Sequence, residues 1–167
     1  AHDLWLERKG PELILLQGHK HSAHGGADTL PYPENFVHTA QCLGHDGALK
    51  TLPHTASAPW RTRAECTTLQ LSVSSGYWTK TPWETKNAPK NGVAGVLKSW
   101  LSEESLKHIE QWTPGAAQAI GHGLEITPLA NPLLLKPGDK LTVRVTENRQ
   151  PKPGVPVAYG DDVRGTT

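Results

Sequence analysis

The first residues of the chain alternate. In Asp3-Leu4-Trp5-Leu6-Glu7-Arg8, Leu4, Leu6 and Arg8 fall on one side of an extended backbone and Trp5 and Glu7 on the other, the period of two that a strand requires. Arg8-Lys9-Gly10-Pro11 reads as a turn and Glu12 to Leu16 as a short apolar run, so an N-terminal β-hairpin is predicted. Counting back antiparallel from a turn near Lys9-Gly10 sets His2 roughly opposite Gln17 or Gly18. The second strand then runs into Gly18-His19-Lys20-His21-Ser22-Ala23-His24-Gly25-Gly26.

Further along, residues 27–63 show little periodicity and are punctuated by Pro31, Pro33, Pro53 and Pro59, the pattern of loops with short strands. Leu69, Leu71 and Val73 recur at period two and predict a strand over 67–78. A polar loop follows over 79–92. Residues 93–100 and 102–112 read as helix: Ser102 suits an N-cap, Glu103 and Glu104 suit the first turn, and Leu106, Ile109 and Trp112 form an apolar stripe. After Gly121 the pattern is strand and turn again, with 124–126, 140–145 and 155–159 separated by Pro137-Gly138-Asp139 and Pro151-Lys152-Pro153-Gly154. The fold class expected is mainly β with a short helical segment, sandwich-like. We divide the chain into a β-rich region over 1–120, with a helical segment at about 91–113, and a partial immunoglobulin-like β module over 121–167. Three or four strands after Gly121 fall short of the roughly seven of a full sandwich, so the module reads as incomplete.

Composition narrows the functions available. The chain has 167 residues, and its net charge of +1 offers no cationic excess to neutralise phosphates, which argues against nucleic acid as the main partner. No stretch reaches the ~20 apolar residues of a spanning helix. Six tryptophans exclude a disordered chain. The sequence starts at Ala1 without a methionine, the kind of small-residue end that signal peptidase leaves, although a removed tag ends similarly. Cys42 and Cys66 are spaced unlike a structural zinc site. They read either as a disulfide, which implies an oxidising compartment, or as two buried thiols. No G-x-S-x-G or H-E-x-x-H motif, phosphate loop or dinucleotide fingerprint is present, so no enzymatic turnover is expected.

Nine histidines against three tyrosines and one phenylalanine are the chemical signal. In His19-x-His21-x-x-His24, a strand conformation sends His19 and His21 to one side and Lys20 to the other, and the Gly-rich stretch after His24 lets the chain fold back. With His2 from the neighbouring strand, and the Ala1 amine as a further donor, this makes a nitrogen-rich set suited to Zn, Cu, Ni or Fe. The plainer reading is a solvated, histidine-rich surface loop. His38, His45, His54, His108 and His122 are scattered and read as surface or hydrogen-bonded residues. Asp28, Glu34 and Asp46 are conceivable oxygen donors without a geometric argument. The segment from Ser75 to Trp83 is aromatic and polar, and reads as packing or as the lining of a protein or glycan groove.

Four stretches carry a family resemblance: Ala-His-Asp-Leu-Trp-Leu-Glu at 1–7, the histidine run at 18–26, Ser-Gly-Tyr-Trp-Thr-Lys-Thr-Pro at 75–82 and Leu-Lys-Pro-Gly-Asp-Lys-Leu at 135–141. In these the chain resembles a family of bacterial periplasmic proteins described as a cobalt/nickel-transport component, which continue into an immunoglobulin-like part beyond a point like Thr167. The resemblance implies export to the periplasm with the signal peptide removed. It also implies capture of nickel or cobalt outside the inner membrane and delivery to a membrane importer. His2, His19, His21 and His24 stand where the family's histidines stand; His122 does not. Copper held by the same histidines is the nearest alternative, and a non-metal interaction module is the other.

Overall fold

A computed structural model describes residues 2–20, 29–159 and 162–167. In chain order the strands are β1 (Asp3–Lys9), β2 (Glu12–Gly18), β3 (Thr29–Leu30), β4 (Val37–Leu43), β5 (Leu49–Thr51), β6 (Arg61–Thr62), β7 (Thr68–Lys80) and β8 (Thr85–Lys86). They continue with β9 (Lys98–Ile109), β10 (Leu124–Pro128), β11 (Val143–Glu147), β12 (Gln150–Pro151), β13 (Pro156–Tyr159) and β14 (Asp162–Thr166). Helical structure among the described residues is confined to two short 3-10 turns, Pro114–Ala117 and Pro132–Leu134. The protein is mainly β, built from antiparallel sheets, and sandwich-like.

Two sheets form the main sandwich. The first joins β1, β2 and β3 side by side, with β6 also paired to β2; the second runs β5-β4-β7, and β7 pairs with both β8 and β9. The hairpin β1–β2 has the expected form, with Leu4 opposite Gln17, Leu6 opposite Leu15 and Asp3 opposite Gly18. Leu6, Leu13 and Leu15 of the first sheet and Ala40, Cys42, Leu69, Leu71 and Val73 of the second share one buried core. Burial of a side chain of this kind contributes about 1.5–3 kcal/mol. Trp60 closes one side: its carbonyl accepts from Leu15 N–H at 2.9 Å, and its own N–H donates to the Tyr32 hydroxyl at 2.6 Å. A disulfide joins Cys42 to Cys66 across the start of β7, with Cα atoms 5.3 Å apart, and no free cysteine remains.

The segment expected as helix is instead the long strand β9. Twelve of its residues pair with β7, from Thr68↔Ile109 to Lys80↔Lys98, and include the pairs Leu71↔Leu106 and Trp78↔Trp100. Ser102 caps nothing; it pairs with Gly76, and its carbonyl accepts from the Ser74 hydroxyl at 2.6 Å. The physical reason lies in its C-terminal half, residues 105–109, which is partly covered on both faces while Leu101, Glu103 and Glu104 are exposed. Leu106 packs into the main core, while Lys107 and Ile109, of opposite parity, line a cavity of about 300 Å³ with Ile126 and Pro128 of β10. A strand buried on both sides loses its alternation, and what remained here was a spacing of three that reads as a helix stripe.

Beyond Gly121, β10, β11 and β12 form a third sheet, and β13 pairs with β14. The third sheet docks on the far face of β9 through a buried ion pair. Lys107 Nζ lies 2.6 Å from Glu125 Oε2, with the side chains 3% and 1% exposed. The ammonium also donates to the Gln118 carbonyl at 3.0 Å and to Thr127 Oγ1 at 2.8 Å. Glu125 in turn accepts from the N–H groups of Ile120 at 2.9 Å and Gly121 at 2.7 Å. Glycine at position 121 leaves room for this pair, because a Cβ there would crowd Gln70 Cγ at 2.9 Å and Glu125 Oε1 at 3.0 Å and force these side chains to shift.

Candidate metal centre

The register of the hairpin positions the candidate ligands. Asp3 pairs with Gly18, so one step further along the ladder His2 comes beside His19. Their ring centres are 5.1 Å apart with planes at 79°. Alternation fixes the side on which both stand. On β1, Leu4 and Leu6 pack toward the second sheet; on β2, Leu13 and Leu15 do. Counting by twos, His2 and His19 belong to this same face. Lys20 points the other way, its ammonium 5.2 Å from the Trp5 ring centre on the outer face. The expected separation of Lys20 from the histidine side therefore holds where it can be seen.

Glu104 lies on β9, in the second sheet, and its side chain is exposed. It pairs with Val73, whose side chain is core, and stands two residues before Leu106 on the core-facing side of β9. The strand β1 lies against β9. Their contact is fixed further along by Arg8 Nε, which donates to Glu110 Oε1 at 2.5 Å, while Glu110 Oε2 lies 2.5 Å from His108 Nε2. Although its side chain is reached by solvent, the surrounding protein partly desolvates the Glu104 carboxyl and raises its pKa, against which the charge of His2 pulls it down. Sequence periodicity could not find this carboxylate, since it assigned Glu104 to the first turn of a helix.

His21, His24, Asp28 and the Ala1 amine lie outside the described residues. Of the other expected donors, Glu34 is exposed, and Asp46 Oδ1 accepts from Ala48 N–H in the turn between β4 and β5. His38, His45 and His122 are exposed, and His54 Nε2 is 3.0 Å from Asn35 Oδ1. Among the described residues, no three His, Cys, Asp or Glu side chains stand close enough to hold an ion together. The aromatic segment divides: Trp78 is half-buried with its indole N–H on Ser75 Oγ at 2.9 Å, while Tyr77 and Trp83 are 52% and 76% exposed. No helix among the described residues is long and apolar enough to cross a membrane.

The class these features define is a disulfide-bonded, antiparallel β protein with a paired-imidazole end. Compared with known proteins, the chain matches no family model, no curated sequence and no solved structure.

Proposed function

We propose that this chain is an exported metal-binding protein that captures Ni(II), or Co(II), through His2, His19, His21 and His24 and supplies it to an inner-membrane importer, without enzymatic turnover. The observation that carries the reading is the spacing of the two described rings. A metal–nitrogen bond of about 2.1 Å puts an imidazole centre about 3.2 Å from its ion, and ligand angles of 90–110° then put two centres about 4.5–5.2 Å apart. The 5.1 Å between His2 and His19 falls in that range. The disulfide fits an oxidising compartment such as the periplasm. Nickel and cobalt come from the family resemblance; imidazoles alone would take Cu(II) more tightly still, by the Irving–Williams order.

Neutral imidazole is the ligand, so binding competes with protons and should weaken steeply as the pH falls below about 6. A competition titration of untagged protein against a chromophoric chelator checks this. The His19→Ala, His21→Ala double variant is expected to lose nickel affinity by at least about a hundred-fold. Equal affinity in variant and wild type removes the reading and leaves the rival, a module that binds a protein or glycan through the segment from Trp78 to the exposed Trp83.

A further inference from the structure

We propose that the turn from Pro132 to Leu141 is a membrane-contact tip, which seats its leucines in the surface of an anionic lipid bilayer. It is independent of the histidines and of the metal-binding reading. The segment runs Asn131-Pro132-Leu133-Leu134-Leu135-Lys136-Pro137-Gly138-Asp139-Lys140-Leu141. Leu133, Leu134 and Leu135 are 55%, 76% and 37% exposed. Three consecutive apolar residues left in water are unfavourable for a folded surface unless they serve a function. The apolar surface extends beyond them: Leu133 lines one cavity with Leu141 and Ile126, which are 42% and 44% exposed themselves. From Leu124 to Leu135 the one charged residue is Glu125, and its side chain is buried.

Three features select a bilayer as the occupant. A segment that enters lipid must satisfy its own N–H groups, because hydrocarbon offers no acceptor. Here the Leu133 N–H donates to Asn131 Oδ1 at 3.0 Å and the Leu134 N–H to the Asn131 carbonyl at 3.4 Å. The Leu135 N–H donates to the Pro132 carbonyl at 3.3 Å and the Lys136 N–H to Asp139 Oδ2 at 2.9 Å. Pro132 and Pro137 carry no N–H, so residues 132–137 present no unpaired backbone donor. Charge is the second feature. Lys136 and Lys140 follow the leucines and are exposed, while the Asp139 carboxylate is occupied by the backbone of the turn. Leucines beside lysines suit an interface where apolar side chains reach about 5–10 Å into the headgroup boundary and ammonium groups meet lipid phosphates. Size is the third. The ten residues from Pro132 to Leu141 fall well short of the roughly 20–30 a side of a stable protein interface, which argues against a second copy.

The test is co-sedimentation of the metal-free full chain with vesicles of phosphatidylcholine and phosphatidylglycerol in equal parts, and with phosphatidylcholine alone. Wild type is compared with Leu133→Ser, Leu134→Ser and with Lys136→Gln, Lys140→Gln. Wild type is expected to sediment with the anionic vesicles, and the leucine variant to bind them at least about tenfold more weakly. The lysine variant should lose roughly tenfold on anionic vesicles and nothing on phosphatidylcholine alone. High salt should bring wild type down to the lysine variant, as the Debye length falls to about 3 Å at 1 M. Melting temperatures should match; should the double leucine variant melt early, Leu134→Ser alone, at the most exposed position, decides. Wild type left in the supernatant with both vesicles overturns the proposal. Undiminished sedimentation of the leucine variant overturns it too, since the contact would lie elsewhere. A lipid-free wild-type dimer that the leucine variant abolishes gives the leucines to a second copy, and overturns it as well.

Discussion

Replacing Glu125 with alanine is expected to destabilise the fold by about 3–5 kcal/mol, the usual cost of stranding one member of a buried ion pair. The carboxylate is 1% exposed and serves three donors at once: the Lys107 ammonium and the backbone N–H groups of Ile120 and Gly121. Without it, Lys107 keeps the Gln118 carbonyl and Thr127 Oγ1, but its charge lies buried and unpaired. Burial already pulls the Lys107 pKa below the ordinary lysine value, with Glu125 opposing that shift, so losing the carboxylate favours the neutral amine. Removing both charges together, with Lys107→Met and Glu125→Leu, should recover only the part owed to the stranded ammonium, because the N–H groups of Ile120 and Gly121 still lose their acceptor. Urea unfolding of the wild type and the two variants checks this; a loss below about 1 kcal/mol for Glu125→Ala would show that the third sheet does not depend on the pair.

The second large effect is expected from the disulfide. Substituting Cys42 and Cys66 by alanine, or reducing the bond, should cost about 3–4 kcal/mol, the loop-entropy value for a loop of this size. The bridge ties β4 to the residues leading into β7, and both sulfurs lie inside the core, with the cysteines 0% and 4% exposed. Neighbouring backbone bonds reinforce the same corner: the Thr67 N–H and hydroxyl both donate to the Leu43 carbonyl, at 2.7 and 3.0 Å. Melting with and without reductant measures the effect. Identical midpoints would mean that the corner is held by those hydrogen bonds and by packing alone.

These two features differ in how far they could be read ahead of the structure. The N-terminal hairpin was legible because its pattern is local: β1 and β2 alternate, and a turn at Gly10 sets their register to within a step of the one expected. The period-two run Leu69, Leu71, Val73 marked β7 for the same reason. The strand β9 was illegible because layers on both sides partly cover its residues 105–109, so neighbours of both parities there are apolar or paired and the sequence carries no alternation. That error also hid the ion pair, since Lys107 and Glu125 meet only when β9 is extended and β10 lies on its far face. The pairing of His2 with His19, by contrast, follows from hairpin register.

The account turns on whether the imidazoles of the N-terminal hairpin hold one ion between them. Crystals grown with limiting nickel and measured at the nickel absorption edge locate that ion directly. The account predicts a single dominant anomalous peak about 2.1 Å from a ring nitrogen of both His2 and His19. A peak elsewhere, or none within bonding distance of either ring, would contradict it.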